Sequence, residues 1–270
     1  MNTSIPSLPS TVLFIPHGGG PLPLLHDPGH HDMVDFLKHL VPTLGHPEAI
    51  IVISSHWEEE IVTLTSGKHP DLIYDYSGFS EAAYHIRYPA PGHPRLAETI
   101  QNLLQVAGIP AQLDNRRGFD HGMFVPLKIL FPKANIPCIQ ISLLKHLDAA
   151  AHIAIGKALT ALRQEKMLIL GSGFSFHNLR AFFSSTASAP DEKNEAFEQW
   201  LIETCTAPEL SLEVRENRLI NWQQAPSARY SHPREEHLLP LHVCYGLAQS
   251  CAKLVFSGKV AGKKASAFLW

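Results

Sequence analysis

TVLFIP, residues 11–16, is an unbroken apolar run that ends in a proline, and His17, three glycines and Pro21 follow it at once. A short apolar run bounded by Gly and Pro is a buried strand entering a tight loop. The same pattern recurs twice. AIIVIS (49–54) runs into Ser55-His56-Trp57, and MLILG (167–171) runs into a Gly/Ser/Phe stretch that carries His177. Three buried strands therefore end beside a histidine. In open α/β sheets ligands bind beyond the carboxyl ends of the strands, so this pattern points to a site as well as to a fold.

Working outward, strands alternate with helices. Asp32–Leu44 has helical spacing of Met33, Phe36, Leu37 and Leu40, and Ile61–Thr65 reads as a strand. Pro94–Ala107 is an amphipathic helix with Pro at its start and Gly108 behind it, the usual punctuation. Met123–Leu130 follows as a short helix, Ile136–Leu143 as a strand, and Asp148–Leu162 as an Ala-rich helix. Helices are expected at Pro190–Cys205 and Glu236–Cys251, the latter opened by His232-Pro233, with closing strands at 253–256 and 265–269. Residues 1–10 are a Ser/Pro-rich lead-in, and residues 67–93 a loop rich in Tyr, Pro and Gly. No internal repeat or long linker divides the chain. The expectation is one α/β domain over residues 1–270, with a central, mostly parallel or mixed sheet flanked by helices.

Composition narrows the function. Of 270 residues 45% are hydrophobic, enough for a real core, and the formal net charge is −3. Nucleic-acid binding needs a basic face that this balance lacks. The N-terminal stretch has no basic, then apolar, signal pattern, and no apolar run reaches the roughly 18–20 residues that cross a bilayer. The four cysteines, Cys138, Cys205, Cys244 and Cys251, form no CxxC and read as reduced thiols. A cytoplasmic protein without nucleic-acid or membrane partners is expected. The outlying count is 17 histidines, the commonest metal ligand and the common acid/base near neutral pH.

Position separates these histidines. His17 sits before glycines that let backbone approach a ligand, and either ligates a metal or bonds backbone in a turn. His56 lies at a strand mouth beside Trp57. Glu58, Glu59 and Glu60 fit a solvated turn better than a ligand set. His177 is a general acid/base, an extra ligand, or a helix-start donor. His232 precedes Pro233, which suits a first helical position, and is a third ligand candidate; Glu235 and Glu236 then complement the helix dipole, or one of them is a carboxylate ligand or supports one. His237 and His242 are five apart on the expected helix, not four, and read as packing. Asp120 orients His121 or caps a helix. His85, Tyr74, Tyr76, Tyr84 and Arg87 are candidates to line a substrate pocket. HExxH, Walker and GxSxG motifs are absent. Imidazoles suit Fe(II), Zn(II), Ni or Cu, and two histidines with a carboxylate point to non-haem Fe(II).

Six segments, taken together, carry a resemblance: PHGGGP (16–21), SSHWE (54–58), YPAPG (88–92), DHGMFVPL (120–127), GSGFSFHNL (171–179) and HPREEHLLPLHVCYG (232–246). The chain resembles the class III extradiol ring-cleaving dioxygenases of the LigB-like superfamily, in the branch of the DOPA 4,5-dioxygenases. The resemblance implies an α/β core, one catalytic metal, usually Fe(II), and O₂-dependent opening of a catechol beside its two hydroxyls. It implies that His17 and His56 are ligands, that His177 is the acid/base, and that His121 contacts substrate and oxygen. For the third ligand it favours His232, with Glu236 as the alternative. It allows Zn(II) in the protein as isolated. A zinc-dependent hydrolase and a non-catalytic binding protein on the same fold, as in Memo-type proteins, are the competing functions.

Overall fold

The computed structural model describes residues 10–183 and 191–270. The N-terminal lead-in before Ser10, and Pro190 at the expected start of its helix, lie outside the described residues. One eight-stranded mixed sheet takes up β1 (Thr11–Pro16), β2 (Ala49–Glu59), β3 (Val62–Thr65), β4 (Ala111–Asp114), β5 (Cys138–Leu144), β6 (Met167–Gly173), β7 (Lys253–Val260) and β8 (Lys263–Leu269). Their order across the sheet is β4-β3-β5-β2-β6-β1-β8-β7. The centre is parallel: β6 lies between β1 and β2, and β2 pairs with β5. Antiparallel pairs join β3 to β5, β1 to β8 and β7 to β8.

The apolar strands alternate their side chains between two cores, as the period of two requires. Val12 and Phe14, with Ile51 and Ile53, face one way, and Leu13 and Ile15, with Ile50 and Val52, face the other. The second core is closed by α1 (His31–Leu44), through Met33 and Leu37, and by α4 (His121–Leu130). Between them in sequence lie α2 (Glu81–Tyr84) and α3 (Pro94–Val106). The first core is covered by α3, α5 (Ala149–Ala158), α7 (Glu192–Thr206), α8 (Leu212–Ile220), α10 (Leu239–Ala248) and the single turn α9 (Ala228–Ser231), while the turn α6 (Leu179–Phe182) packs on the second. Every described cysteine is a free thiol, three of them buried and Cys251 exposed. No described helix is long and apolar enough to cross a membrane.

One departure from the expected elements bears on the site. The helix expected from Glu236 begins only at Leu239, with Pro240 in its first turn. A proline suits that first turn; residues 232–238 form an irregular approach, and His237 is not helical. The short strand β4 and the helix α8 were not expected at all.

Candidate metal centre

Adjacency of β2, β6 and β1 brings the three strand-end histidines to one end of the sheet. The loop after β1 turns sharply: Gly18 has φ +85°, and a side chain there would strike Pro23 and His30. His30 helps to hold this turn. It is buried, its Nδ1 meets Asp27 at 2.6 Å, and its Nε2 accepts the Gly19 N–H at 2.9 Å. The glycine loop is thus pinned and His17 points inward, 2% exposed. β2 slips its register against β5 between Ile53 and Glu58. Such irregularities re-aim side chains next to sites, and here the slip spans His56.

His17 Nε2 and His56 Nε2 face each other at 3.2 Å, with Ser55 Oγ also 3.2 Å from His17 Nε2. His237 closes the group: one nitrogen from each of His17, His56 and His237 lies within 4.8 Å of the other two. Burial holds His17 and His237 well below the ordinary histidine range, and neighbouring rings push them lower, His56 and His121 for His17 and His177 and His56 for His237. His56 is lowered by burial and by His121, with Asp75 opposing. Three neutral imidazoles converging in a buried corner offer lone pairs that cannot all be satisfied by one another's protons. That donor set fits a borderline transition metal.

Two carboxylates stand behind the rings. Glu236 Oε1 lies 2.8 Å from His237 Nδ1 and 3.1 Å from His177 Nδ1. The His177 ring stacks on His237 with centroids 3.4 Å apart. Asp75 Oδ1 accepts from His121 twice, from the backbone N–H at 3.0 Å and Nδ1 at 2.8 Å, while Oδ2 lies 3.5 Å from His56 Nδ1. Burial opposes the charge on Asp75, but the hydrogen bonds and charge of His121 prevail and hold its carboxyl below the usual range. The approach to His237 is fixed from two sides. Phe174 N–H donates to the His237 carbonyl at 2.9 Å, and Arg234 forks onto Glu58 at 2.5 and 2.6 Å.

The third expected histidine lies apart from the other two. His232 is fully buried behind the site, its ring against Phe197 and Trp222 and its Nε2 2.8 Å from the Ser175 carbonyl. Burial lowers it to about 3, and among the described residues it joins no candidate ligand group. It ends α9 and opens no helix, so Pro233 is not a first helical residue. His237, expected to be packing, takes the place beside His17 and His56. Glu236 contacts His237 and His177 and lies outside the His17–His56–His237 group. His242 does pack, bonded to the Leu219 and Leu238 carbonyls.

The remaining candidates sort by contact. His121 opens α4 and its ring centroid is 3.9 Å from that of His56. Asp120 is the N-cap residue of α4 but its side chain makes no cap hydrogen bond; its carboxylate accepts from Ser54 at 2.7 Å, Arg117 at 3.2 Å and Gln140. The acidic run is spent on partners: Glu58 on Arg234, Glu59 on Trp57, Glu60 on Lys145. Tyr74 and Tyr76 donate their hydroxyls to the carbonyls of Ile86 and Ala83, and Tyr76 packs on His121. Tyr84 packs in the same aromatic cluster, Arg87 donates to the Tyr74 hydroxyl, and His85 is exposed. A cleft of about 580 Å³ opens at the site, lined by His177, Asn178, Arg229, Tyr230, Arg234 and Glu236 among others.

Residues 12–267 match the model of the catalytic LigB subunit of aromatic ring-opening dioxygenase. The dioxygenase tasH of Hapsidospora irregularis is 39% identical over 257 residues, covering 90% of this chain and 79% of that protein. The 4,5-DOPA dioxygenase extradiol of Portulaca grandiflora is 38% identical over 78% of this chain and 77% of its own length. The protein of that name from Escherichia coli K12 is 35% identical over 85% and 82%. A crystal structure of an uncharacterised protein of Escherichia coli K12 superposes with a TM-score of 0.78 at 30% identity, covering 96% of this chain and 99% of that one.

Proposed function

The chain belongs to the LigB family of aromatic ring-opening dioxygenases, and from that premise we propose that it opens a DOPA-like catechol beside its two hydroxyls, with O₂ as oxidant. The enzyme is an extradiol dioxygenase, and its chemistry depends on a metal. The observation that carries the site assignment is the facing pair of His17 and His56 nitrogens at 3.2 Å, with His237 beside them. We assign these three as the metal ligands and Fe(II) as the active ion; Zn(II) suits the same imidazoles and is expected to compete for them.

When bound, Fe(II) supplies Lewis acidity towards the catechol oxygens and a path for electrons between ring and O₂. The chain supplies the rest. The Glu236 carboxylate only accepts hydrogen bonds, so His177 and His237 both place their protons on Nδ1. That leaves the His177 Nε2 lone pair to take a hydroxyl proton from substrate and return it later. An acid/base of this kind contributes about 10²–10⁴-fold. His121 stands across from His56 with its Nδ1 bound to Asp75, and contacts substrate with Nε2. The cleft of about 580 Å³ has the size of a small-molecule site.

The test is anaerobic loading with Fe(II), then addition of DOPA or catechol with O₂. Stoichiometric oxygen uptake and a yellow ring-opened semialdehyde are expected. Hydrolytic activity with Zn(II) and no oxygen uptake with Fe(II) would overturn the assignment.

A further inference from the structure

Glu236 has a counterpart across the site. Asp75 lies in the loop between β3 and α2, where Asp71 and Ile73 pair with Phe119 and so set the next residues against the start of α4. We propose that Asp75 is a positioning residue that fixes the proton of His56 on Nδ1 and thereby keeps His56 Nε2 free to bind the metal. The inference rests on the ligand set assigned above.

The argument is one of donors and acceptors. Asp75 Oδ1 is held by two donors of His121, at 3.0 and 2.8 Å, and Oδ2 faces His56 Nδ1 at 3.5 Å. A carboxylate offers acceptors only, so His121 presents an N–H to it, and its charge favours the His56 tautomer whose N–H lies on Nδ1, the nitrogen that faces Oδ2. A neutral imidazole has one N–H, and its lone pair then lies on Nε2. For His56 that is the atom 3.2 Å from His17 Nε2. Outer carboxylates of this kind fix the tautomer of ligating histidines, and their loss typically costs about 10–100-fold in metal affinity.

Asp75→Asn separates this role from a structural one. The His121 backbone N–H can only donate, so the amide oxygen of Asn must stay on the α4 side. The amide NH₂ then faces His56, whose Nδ1 must accept, and the proton moves to Nε2. If Asp75 merely tied its loop to α4, Asn would serve as well.

Two measurements on the metal-free protein test this, neither needing turnover. Long-range ¹H–¹⁵N spectra of the imidazoles are expected to place the His56 proton on Nδ1 in the wild type and on Nε2 in D75N. Zn(II) affinity by competition with a chromophoric chelator is expected to fall about 10–100-fold in D75N, with the thermal unfolding midpoint unchanged. A wild-type His56 protonated on Nε2, or a D75N affinity within about twofold of the wild type, overturns the proposal whatever the variant's stability. Absence of Zn(II) binding in the wild type overturns the ligand set and this inference with it. Absence of ring-opening activity alone touches neither measurement, so the two failures are distinguishable.

Discussion

Gly173→Ala is a one-carbon probe of how the fold aims its third histidine. Gly173 ends β6, and a Cβ there would sit against the His237 carbonyl, far inside the ~3.5 Å of an ordinary contact. Neither partner is a flexible side-chain end, so backbone must move on one side. Overpacking of this kind costs about 1–3 kcal/mol. The neighbouring Phe174 N–H to His237 carbonyl bond, 2.9 Å long, is stretched at the same time, and such a bond contributes about 0.5–1.5 kcal/mol. The sum is about 1.5–4.5 kcal/mol, which at an unfolding entropy of about 0.57 kcal/mol/K for a chain of this size lowers the unfolding midpoint by roughly 3–8 °C. The same displacement moves His237 from its place beside His17 and His56, and a shift of about 1 Å costs about 10²-fold in rate. Calorimetry, Fe(II) titration and oxygen-uptake rates of G173A against wild type measure the loss of stability, of metal affinity and of rate. A variant with unchanged midpoint and unchanged Fe(II) affinity would refute the claim that β6 aims His237 by close backbone contact.

Three further outcomes are expected. His177→Gln should lower kcat by about 10²–10⁴-fold with little change in KM or metal content; loss of metal instead would make His177 a ligand. Glu198 is fully buried against Ser266 Oγ at 2.6 Å, and burial pushes it up from 4.5 to about 7. Between pH 4.5 and 7 the unfolded chain gives up this proton while the folded one keeps it, so stability falls by about 3 kcal/mol across that window and stays flat above it. Denaturant melts of E198Q across the same range should lack that slope, and an unchanged slope would assign it to other groups. Arg234→Met should cost no more than about 1 kcal/mol of stability, because the guanidinium is half exposed, yet should weaken Fe(II) binding by loosening the approach to His237.

Much of this was legible in the sequence, for physical reasons. Short apolar runs mark buried strands: β1 has the expected bounds and β6 extends the expected 167–171 by two residues, whereas β2, expected over 49–54, continues to Glu59 and carries His56 within it. Strands in a parallel core share their carboxyl end, so the convergence of their histidines followed from topology. His237 was read as packing because the helix was started too early: spacing rules for a helix were applied to a residue in the irregular approach before Leu239. His232 was favoured on the same misplaced start. Asp75 carried no local signal, since its role comes from the pairing of residues 71 and 73 with Phe119, far away in sequence. The short β4 and polar α8 lack an apolar pattern strong enough to stand out.

The central claim is the ligand set, and metal content measures it most directly. Protein purified without oxygen and reconstituted with Fe(II) should hold one ion per chain in the wild type and in His232→Gln, which retains a donor for the Ser175 carbonyl. His17→Ala, His56→Ala and His237→Ala should each lose it. Full occupancy in H237A together with loss in H232Q would contradict the account.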